Sequence, residues 1–275
     1  MSQIRLDKYL ADMRVGSRSE VKQYIRKGQV MVNGSVIKKP EYKLLKDTDT
    51  VMVNGQTIGY VANEYIMLNK PAGIVSATVD SMHQTVVDFV SDRARKDLFP
   101  VGRLDIDTEG LLLLTNDGAL SHALLSPKKH VEKTYFVIVS GEVTEEEVKQ
   151  LCQGVDIGTK EQEEWTKPAK LQGLAVMETE RFFRDEIEGI DQRVKRFVKN
   201  RFLEAQEQEE RISFLTLTIT EGKYHQVKRM FQACSHTVWY LKRIQMGELF
   251  LDPSLLPGEY RLLTKEEIEL LKKTN

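Results

Sequence analysis

The stretch Gly102-Arg103-Leu104-Asp105-Ile106-Asp107-Thr108-Glu109-Gly110, followed at once by Leu111-Leu112-Leu113-Leu114, decides how the rest of the chain is read. It sets a carboxylate on a glycine-bounded segment that leads into an unbroken apolar run. Such a run is a buried strand or a buried helical turn, and periodicity alone does not choose between them. In either case a rigid element supports Asp105 at its edge. A carboxylate held by a short loop against a dry core can act as a nucleophile or a general base. The competing reading is a turn or helix-cap aspartate, the usual fate of aspartate near glycine.

Working outward, 275 residues leave room for one large domain and one small one. A hydrophobic fraction of 41% and a charged fraction of 29% are those of a globular chain that buries its core without staples. Cys152 and Cys234 form no Cys-x-x-Cys pair, and His83, His122, His130, His225 and His236 show no ligand spacing with them. The thiols therefore read as ordinary reduced residues of a cytoplasmic protein, and no metal is expected. Residues 1–8 do not resemble a secretory signal, and no run approaches the length of a transmembrane helix.

The net charge is −1, but residues 1–60 carry +5 and the remainder −6. A basic N-terminal module on a mildly acidic body suggests a nucleic-acid foot, although charge alone fits a solvated basic surface equally well. Within the module, Leu6, Tyr9, Leu10 and Met13 have helical spacing. Ser17 and Glu20 form a capping box for a second helix, which Gly28 ends. On it Arg18, Lys22 and Arg26 make one basic stripe, while Val21, Tyr24 and Ile25 face inward. Val30-Met31-Val32, Asn33-Gly34 and Val36-Ile37 then predict a hairpin. A last short strand, Val51-Met52-Val53, precedes Asn54-Gly55. The domains are expected at residues 1–58 and 59–275, with residues 56–63 as the linker.

The larger part mixes both element types. Residues 65–68, 111–115, 134–139 and 214–219 are strand candidates, and residues 145–153 and 265–272 are helix candidates capped by Thr144 and Thr264. In residues 177–211, Phe183, Ile187, Ile190, Val194 and Phe197 step by 4, 3, 4 and 3, which predicts an amphipathic helix seam in a charged insertion. It is expected as a helix or helical hairpin packed against the larger domain, with a grip on RNA or a ribosomal partner as the lesser alternative.

Five ordered segments carry a resemblance over almost the whole chain. Gly102-Arg103-Leu104-Asp105 with Ile106-Asp107-Thr108 resembles the central motif of the pseudouridine synthases. Tyr65-Ile66-Met67-Leu68-Asn69-Lys70-Pro71-Ala72-Gly73 is similar to their opening motif, and Glu132-Lys133-Thr134-Tyr135 to their tyrosine motif. Glu221-Gly222-Lys223-Tyr224-His225-Gln226-Val227-Lys228-Arg229-Met230-Phe231 is similar to the third motif, and Pro257-Gly258-Glu259-Tyr260-Arg261 to the closing segment. The two N-terminal helices with their hairpin resemble the S4-type RNA-binding domain. The wording of the motifs is closest to the branch that modifies small-subunit 16S ribosomal RNA, although relatives acting on 23S RNA share the Gly-Arg-Leu-Asp core.

The resemblance implies an α+β fold: a small S4-like domain, then a mixed, largely antiparallel sheet with flanking helices. It implies isomerisation of uridine to pseudouridine, which needs no cofactor. Asp105 matches the catalytic aspartate, whether it attacks the sugar or abstracts a proton to give a glycal. Either role needs an ionised carboxylate and hence a nearby cation. Lys228 matches the basic residue that pairs with that aspartate, where many relatives carry arginine; its alternative is a surface lysine contacting phosphate, and adjacent Arg229, itself a candidate toward RNA, is the competitor. Tyr135 matches the active-site tyrosine, able to stack on a flipped base. Arg103 is expected to fill the gap left by the extruded uridine, in the manner of base-flipping enzymes; its alternative is a salt bridge to Asp107. Asp107, Lys133 and Arg243 are further candidates, the last two toward RNA. His225, Lys70, Pro71 and Gly73 read as structural, His225 alternatively as RNA-facing. Arg18, Lys22 and Arg26 would contact phosphates and fix orientation with little sequence information.

The expected partner is therefore 16S ribosomal RNA, naked or in an assembling small subunit. The expected state is a cytoplasmic monomer with no membrane contact. Two other readings compete: a non-catalytic assembly factor that kept the fold, and a hydrolase using Asp105 and Asp107. Carboxylates two residues apart seldom flank a substrate on opposite faces, which weighs against the hydrolase.

Overall fold

A computed structural model describes residues 3–90, 92–93, 95–205 and 210–273 of the chain. The first domain runs β1 (Gln3–Arg5), α1 (Leu6–Asp12), α2 (Arg18–Arg26), β2 (Val30–Val32), β3 (Ser35–Val36), β4 (Lys43–Leu45), β5 (Val51–Val53) and β6 (Gln56–Ile58). Ser17 and Glu20 form the capping box that starts α2. The hairpins β2–β3 and β5–β6 both turn on Asn-Gly, with both residues of each pair at positive φ. That is the backbone a two-residue hairpin loop needs. The strands assemble into a sheet of order β3-β2-β5-β6, and β1 pairs with β4. Leu6, Tyr9, Leu10, Val21, Ile25, Val30 and Val51 make a core of their own.

The linker expectation needs one correction. Residues 56–58 form β6, because Asn54-Gly55 turns the chain straight back onto β5. Beyond it, Tyr60 packs on Tyr9 with ring centroids 5.0 Å apart, and the guanidinium of Arg95 lies over Tyr60 and 3.7 Å from Asp12. The crossing between the domains is therefore pinned from both sides.

The second domain continues β7 (Tyr65–Lys70), β8 (Phe99–Pro100), β9 (Glu109–Thr115), α3 (Gly118–Leu125), β10 (Lys133–Ser140), α4 (Glu145–Gln153), β11 (Lys170–Glu178), α5 (Thr179–Arg184), α6 (Gln192–Ala205), β12 (Arg211–Ile219), α7 (Gln226–Ala233), β13 (Val238–Met246), β14 (Leu249–Phe250), β15 (Tyr260–Leu262) and α8 (Lys265–Lys273). The four leucines belong to β9, every residue of which is buried. Its partners β7, β13 and β8 and a helix layer on each face leave no solvated side, so the run needs no alternation. A nine-stranded sheet of order β11-β12-β10-β13-β9-β7-β15 results, with β8 and β14 at its margins. The pair β13–β9 is parallel and the other pairs are antiparallel. The fold is α+β.

One face of this sheet carries Leu68, Leu112, Tyr135, Val137, Leu217 and Leu241 under α4 and α7. The opposite face divides between a cluster under α3 and α8 and another under α5 and α6. The helix or helical hairpin expected over residues 177–211 is a pair of helices, α5 and α6. Residues 177–178 still belong to β11, and a tight turn with Gly189 at φ +79° and an Ile187–Ile190 bridge separates α5 from α6. The seam residues nonetheless meet in one cluster with Trp239 and Tyr240, since apolar spacing sets the buried face whether or not the helix is continuous.

At Gly110 the backbone of β9 meets β13 so closely, at φ +100°, that any Cβ would collide with the Arg243 backbone. Gly110→Ala is expected to lower unfolding free energy by at least about 2 kcal/mol, the combined cost of backbone strain at positive φ and overpacking. Urea unfolding checks this, and an unchanged midpoint would refute the close approach.

Candidate active site

Asp105 lies on the loop between β8 and β9, and the loop is held from beneath. Lys70, at the end of β7, is fully buried, and its Nζ donates to the backbone carbonyls of Pro71 (3.0 Å), Asp105 (3.1 Å), Ile106 (3.2 Å) and Thr108 (2.9 Å). Gly73 N–H donates to the Ile106 carbonyl at 2.7 Å from a backbone with φ +88°. The Ser76 hydroxyl donates to the Leu104 carbonyl and accepts from the Leu104 N–H, and Thr108 N–H closes the turn onto the Asp105 carbonyl at 3.1 Å. An ammonium has three protons for these four acceptors, so at least one is shared. Burial pushes Lys70 down to about 8, against the pull of Asp107, Glu109 and Asp105.

The carboxylate of Asp105 is met by Lys228 Nζ at 3.2 Å and by His225 Nε2 at 3.5 Å. Both come from the start of α7, where His225 is the N-cap residue at φ 48° and stacks on Tyr224 with centroids 3.9 Å apart. Lys228 is shared: its Nζ lies 2.5 Å from Asp107, whose other oxygen takes Arg201 of α6 at 2.6 Å. Burial would raise the Asp107 carboxyl, but the hydrogen bonds from Lys228 and Arg201 outweigh it and hold the group below its ordinary value. Two residues further, Glu109 is buried against Arg193 of α6 at 2.8 Å and the Tyr240 hydroxyl at 2.7 Å.

A cleft of about 620 Å³ opens above Asp105, lined by Arg103, Lys133, Tyr135, Tyr224, His225 and Arg243 among others. Tyr135 and Arg243 sit opposite each other on β10 and β13. Arg103 is exposed at the cleft wall, and its alternative partner, Asp107, is taken by Lys228 and Arg201. Lys133 is buried, donates to the Val131 carbonyl at 2.8 Å, and is pushed down to about 8 by burial and by Arg243. Arg229 points away from the cleft, to Glu164 at 2.6 Å and to the Ile157 and Tyr224 carbonyls. Arg18, Lys22 and Arg26 ride on α2 of the first domain, with Arg18 and Arg26 exposed and Lys22 half-buried. Among the described residues no three His, Cys, Asp or Glu side chains converge as a metal site.

The structure therefore gathers Asp105, Tyr135, Lys228, Arg103, Lys133 and Arg243 about one cleft and leaves Arg229 on its outer side. Sequence reasoning misses three participants. His225 reads there as structural or RNA-facing, because the left-handed backbone that turns its ring toward Asp105 carries no sequence signal. Arg201 and Arg193 lie 94 and 84 residues from their carboxylates, in the segment of weakest resemblance.

A family profile described as RNA pseudouridylate synthase matches residues 64–233, and one described as S4 domain matches residues 4–51. The chain is 44% identical over 273 residues to a protein of Bacillus subtilis (strain 168) named as an uncharacterized RNA pseudouridine synthase, covering 98% of this chain and 99% of that one. It is 36% identical over 265 residues to the ribosomal small subunit pseudouridine synthase A of Escherichia coli (strain K12), covering 96% and 98%. A solved structure described as a pseudouridylate synthase superposes with TM-score 0.58 at 35% identity, covering 98% of this chain and 99% of that chain.

The depressed Lys133 yields a pH prediction. Its ammonium costs more in the folded chain than in the unfolded one, so that cost is full below about pH 8 and gone above the ordinary lysine value of 10.5. Wild-type stability relative to Lys133→Met should therefore rise between about pH 8 and pH 10.5. Urea midpoints of both proteins at about pH 7.5 and about pH 10, on either side of most of that window, measure it. A difference independent of pH would contradict the burial argument.

Proposed function

The chain belongs to the RNA pseudouridylate synthase family, and from that premise we propose that it isomerises a specific uridine of small-subunit 16S ribosomal RNA to pseudouridine. The observation that carries the proposal is the Asp105 carboxylate, presented at a cleft by a clamped turn with Lys228 3.2 Å away. A cation at that distance holds a carboxylate in place, as both a nucleophile and a base require. The small-subunit assignment is supported by the Escherichia coli relative, which matches along nearly its whole length.

In this reading RNA is held by two surfaces. The stripe Arg18, Lys22 and Arg26 on the S4 domain engages phosphates, and the cleft receives the flipped uridine. Tyr135 offers its ring to the extruded base, a contact that suits any pyrimidine face. Arg103, exposed at the cleft wall, occupies the vacated place in the RNA stack. Asp105 engages the ribose, the N1–C1′ bond breaks, the base turns and C5 closes onto C1′. No electron is gained or lost overall, so the residues named are sufficient for the isomerisation. Lys228 holds Asp105 and Asp107 holds Lys228; Arg201 balances Asp107, so that one ammonium is not asked to neutralise two carboxylates. The protein acts as a monomer in the cytoplasm, in keeping with a substrate far larger than itself. Among the described residues no helix is long and apolar enough to cross a membrane.

Carbodiimide–primer-extension mapping of ribosomal RNA tests the proposal in cells lacking the protein, restored with wild type or with Asp105→Asn. The expected result is one 16S stop that vanishes in the deletion and returns only with wild type. Purified Asp105→Asn should lose at least about 1,000-fold in rate, as expected when a covalent or general-base group is removed. Its RNA affinity should remain within about threefold of wild type, since phosphate contacts supply most of it. A stop in 23S RNA would overturn the substrate assignment, and an active Asp105→Asn would overturn the assignment of Asp105.

A further inference from the structure

The cleft floor carries positive charge that the fold leaves uncompensated. Lys133 is 9% exposed, and its Nζ has the Val131 carbonyl as acceptor. Arg243 is 2% exposed; its Nε donates to the Leu111 carbonyl at 2.7 Å, while Nη2 is buried with no acceptor. Among the described residues neither side chain has an ion-pair partner, and the charge that acts on Lys133 is the like charge of Arg243. The carboxylates nearby are committed elsewhere: Asp105 and Asp107 to Lys228, and Glu109 to Arg193. Burying unpaired like charges costs free energy. A fold that keeps two of them at the bottom of a substrate cleft leaves the negative charge to be brought in by a ligand.

We propose that Lys133 and Arg243 form a cationic subsite for the negative charge that develops on uracil when its bond to ribose breaks. The inference rests on the pseudouridine synthase reading. Whether Asp105 adds to C1′ or takes a ribose proton, the electron pair of the C1′–N1 bond leaves on N1 and spreads over O2 and O4. C5 then uses that pair to bond to C1′. In the first case Asp105 departs with the electrons of its own bond to C1′; in the second it returns the ribose proton. Finally C5 loses its proton and N1 gains one, so the product is an isomer and the charge exists only along the way. Fixed cations aimed at charge present only in the reaction accelerate it without tightening ground-state binding.

A backbone phosphate is the competing ligand, and two observations favour the base. Arg243 lines the cleft opposite Tyr135 on the adjacent strand and is only 2% exposed. The exposed arginines at the rim and on α2, Arg103, Arg18 and Arg26, are the ones accessible to phosphates along a strand of RNA.

Single-turnover pseudouridine formation on a 16S transcript, RNA filter binding and thermal unfolding, all with the full chain, test the subsite. Lys133→Met and Arg243→Gln are each expected to slow the reaction by about 100-fold or more, the scale of losing one oxyanion donor. RNA affinity should stay within about twofold, because the charge the subsite meets is absent from the ground state. The Tm of Lys133→Met should not fall. Lys133→Arg, which keeps the charge, should recover at least about a tenth of the wild-type rate. Weakened binding with an unchanged rate would assign the cations to phosphate and overturn the proposal. So would a loss of rate that tracks a loss of Tm, or a Lys133→Met as fast as wild type. Those outcomes leave Asp105 chemistry standing, whereas a wild type that forms no pseudouridine removes the parent reading and this subsite together.

Discussion

Everything about the site depends on one buried ammonium. Lys70 reaches under the turn that carries Asp105 and holds four carbonyls together. A charge without water is costly unless its protons are fully used. Here the four carbonyls and the nearby carboxylates of Asp105, Asp107 and Glu109 supply what water would have supplied. The loop therefore cannot relax without stranding the ammonium, and the ammonium cannot leave without stranding the loop. That mutual constraint makes the connection between β8 and β9 a fixed mount for the Asp105 carboxylate.

On that mount the charges alternate. Asp105 meets Lys228, Lys228 meets Asp107, and Asp107 meets Arg201. The last link comes from α6, whose apolar face covers the sheet opposite α7 and whose basic residues reach the carboxylates after Asp105. The inserted helices thus join packing to electrostatics. Truncating them would expose Trp239 and Tyr240 and also leave Asp107 and Glu109 without their arginines. The cleft side is built differently, with Lys133 and Arg243 kept without counterions. The site holds paired charge behind Asp105 and unpaired charge in the lining of the cleft.

Much of this is legible in the chain. The α2 capping box, the Asn-Gly hairpin, the alternation of residues 214–219 and the helix Glu145–Gln153 all follow from local chemistry, and the structure has them. The burial of Leu111-Leu112-Leu113-Leu114 is clear as well, though not its strand geometry, which only the partners β7 and β13 decide. Asp105, Tyr135 and Lys228 are brought together by motif resemblance rather than by spacing, since Lys228 lies 123 positions beyond the carboxylate it meets at 3.2 Å. What stays hidden is long-range and conformational. The Lys70 clamp depends on backbone carbonyls, which no side-chain pattern announces. The Arg201 contact depends on where the pair α5 and α6 docks, which apolar spacing alone does not place.

At the centre stands the claim that a uridine enters this cleft and meets the clamped carboxylate. A crystal structure of Asp105→Asn bound to a small-subunit RNA stem-loop measures it directly. The predicted result is a uridine turned out of the stack, its base against Tyr135, with C1′ about 3–3.5 Å from the side chain at position 105, the separation of reacting atoms poised for attack. RNA crossing another face, with the cleft empty and that side chain out of reach of any ribose, would contradict it.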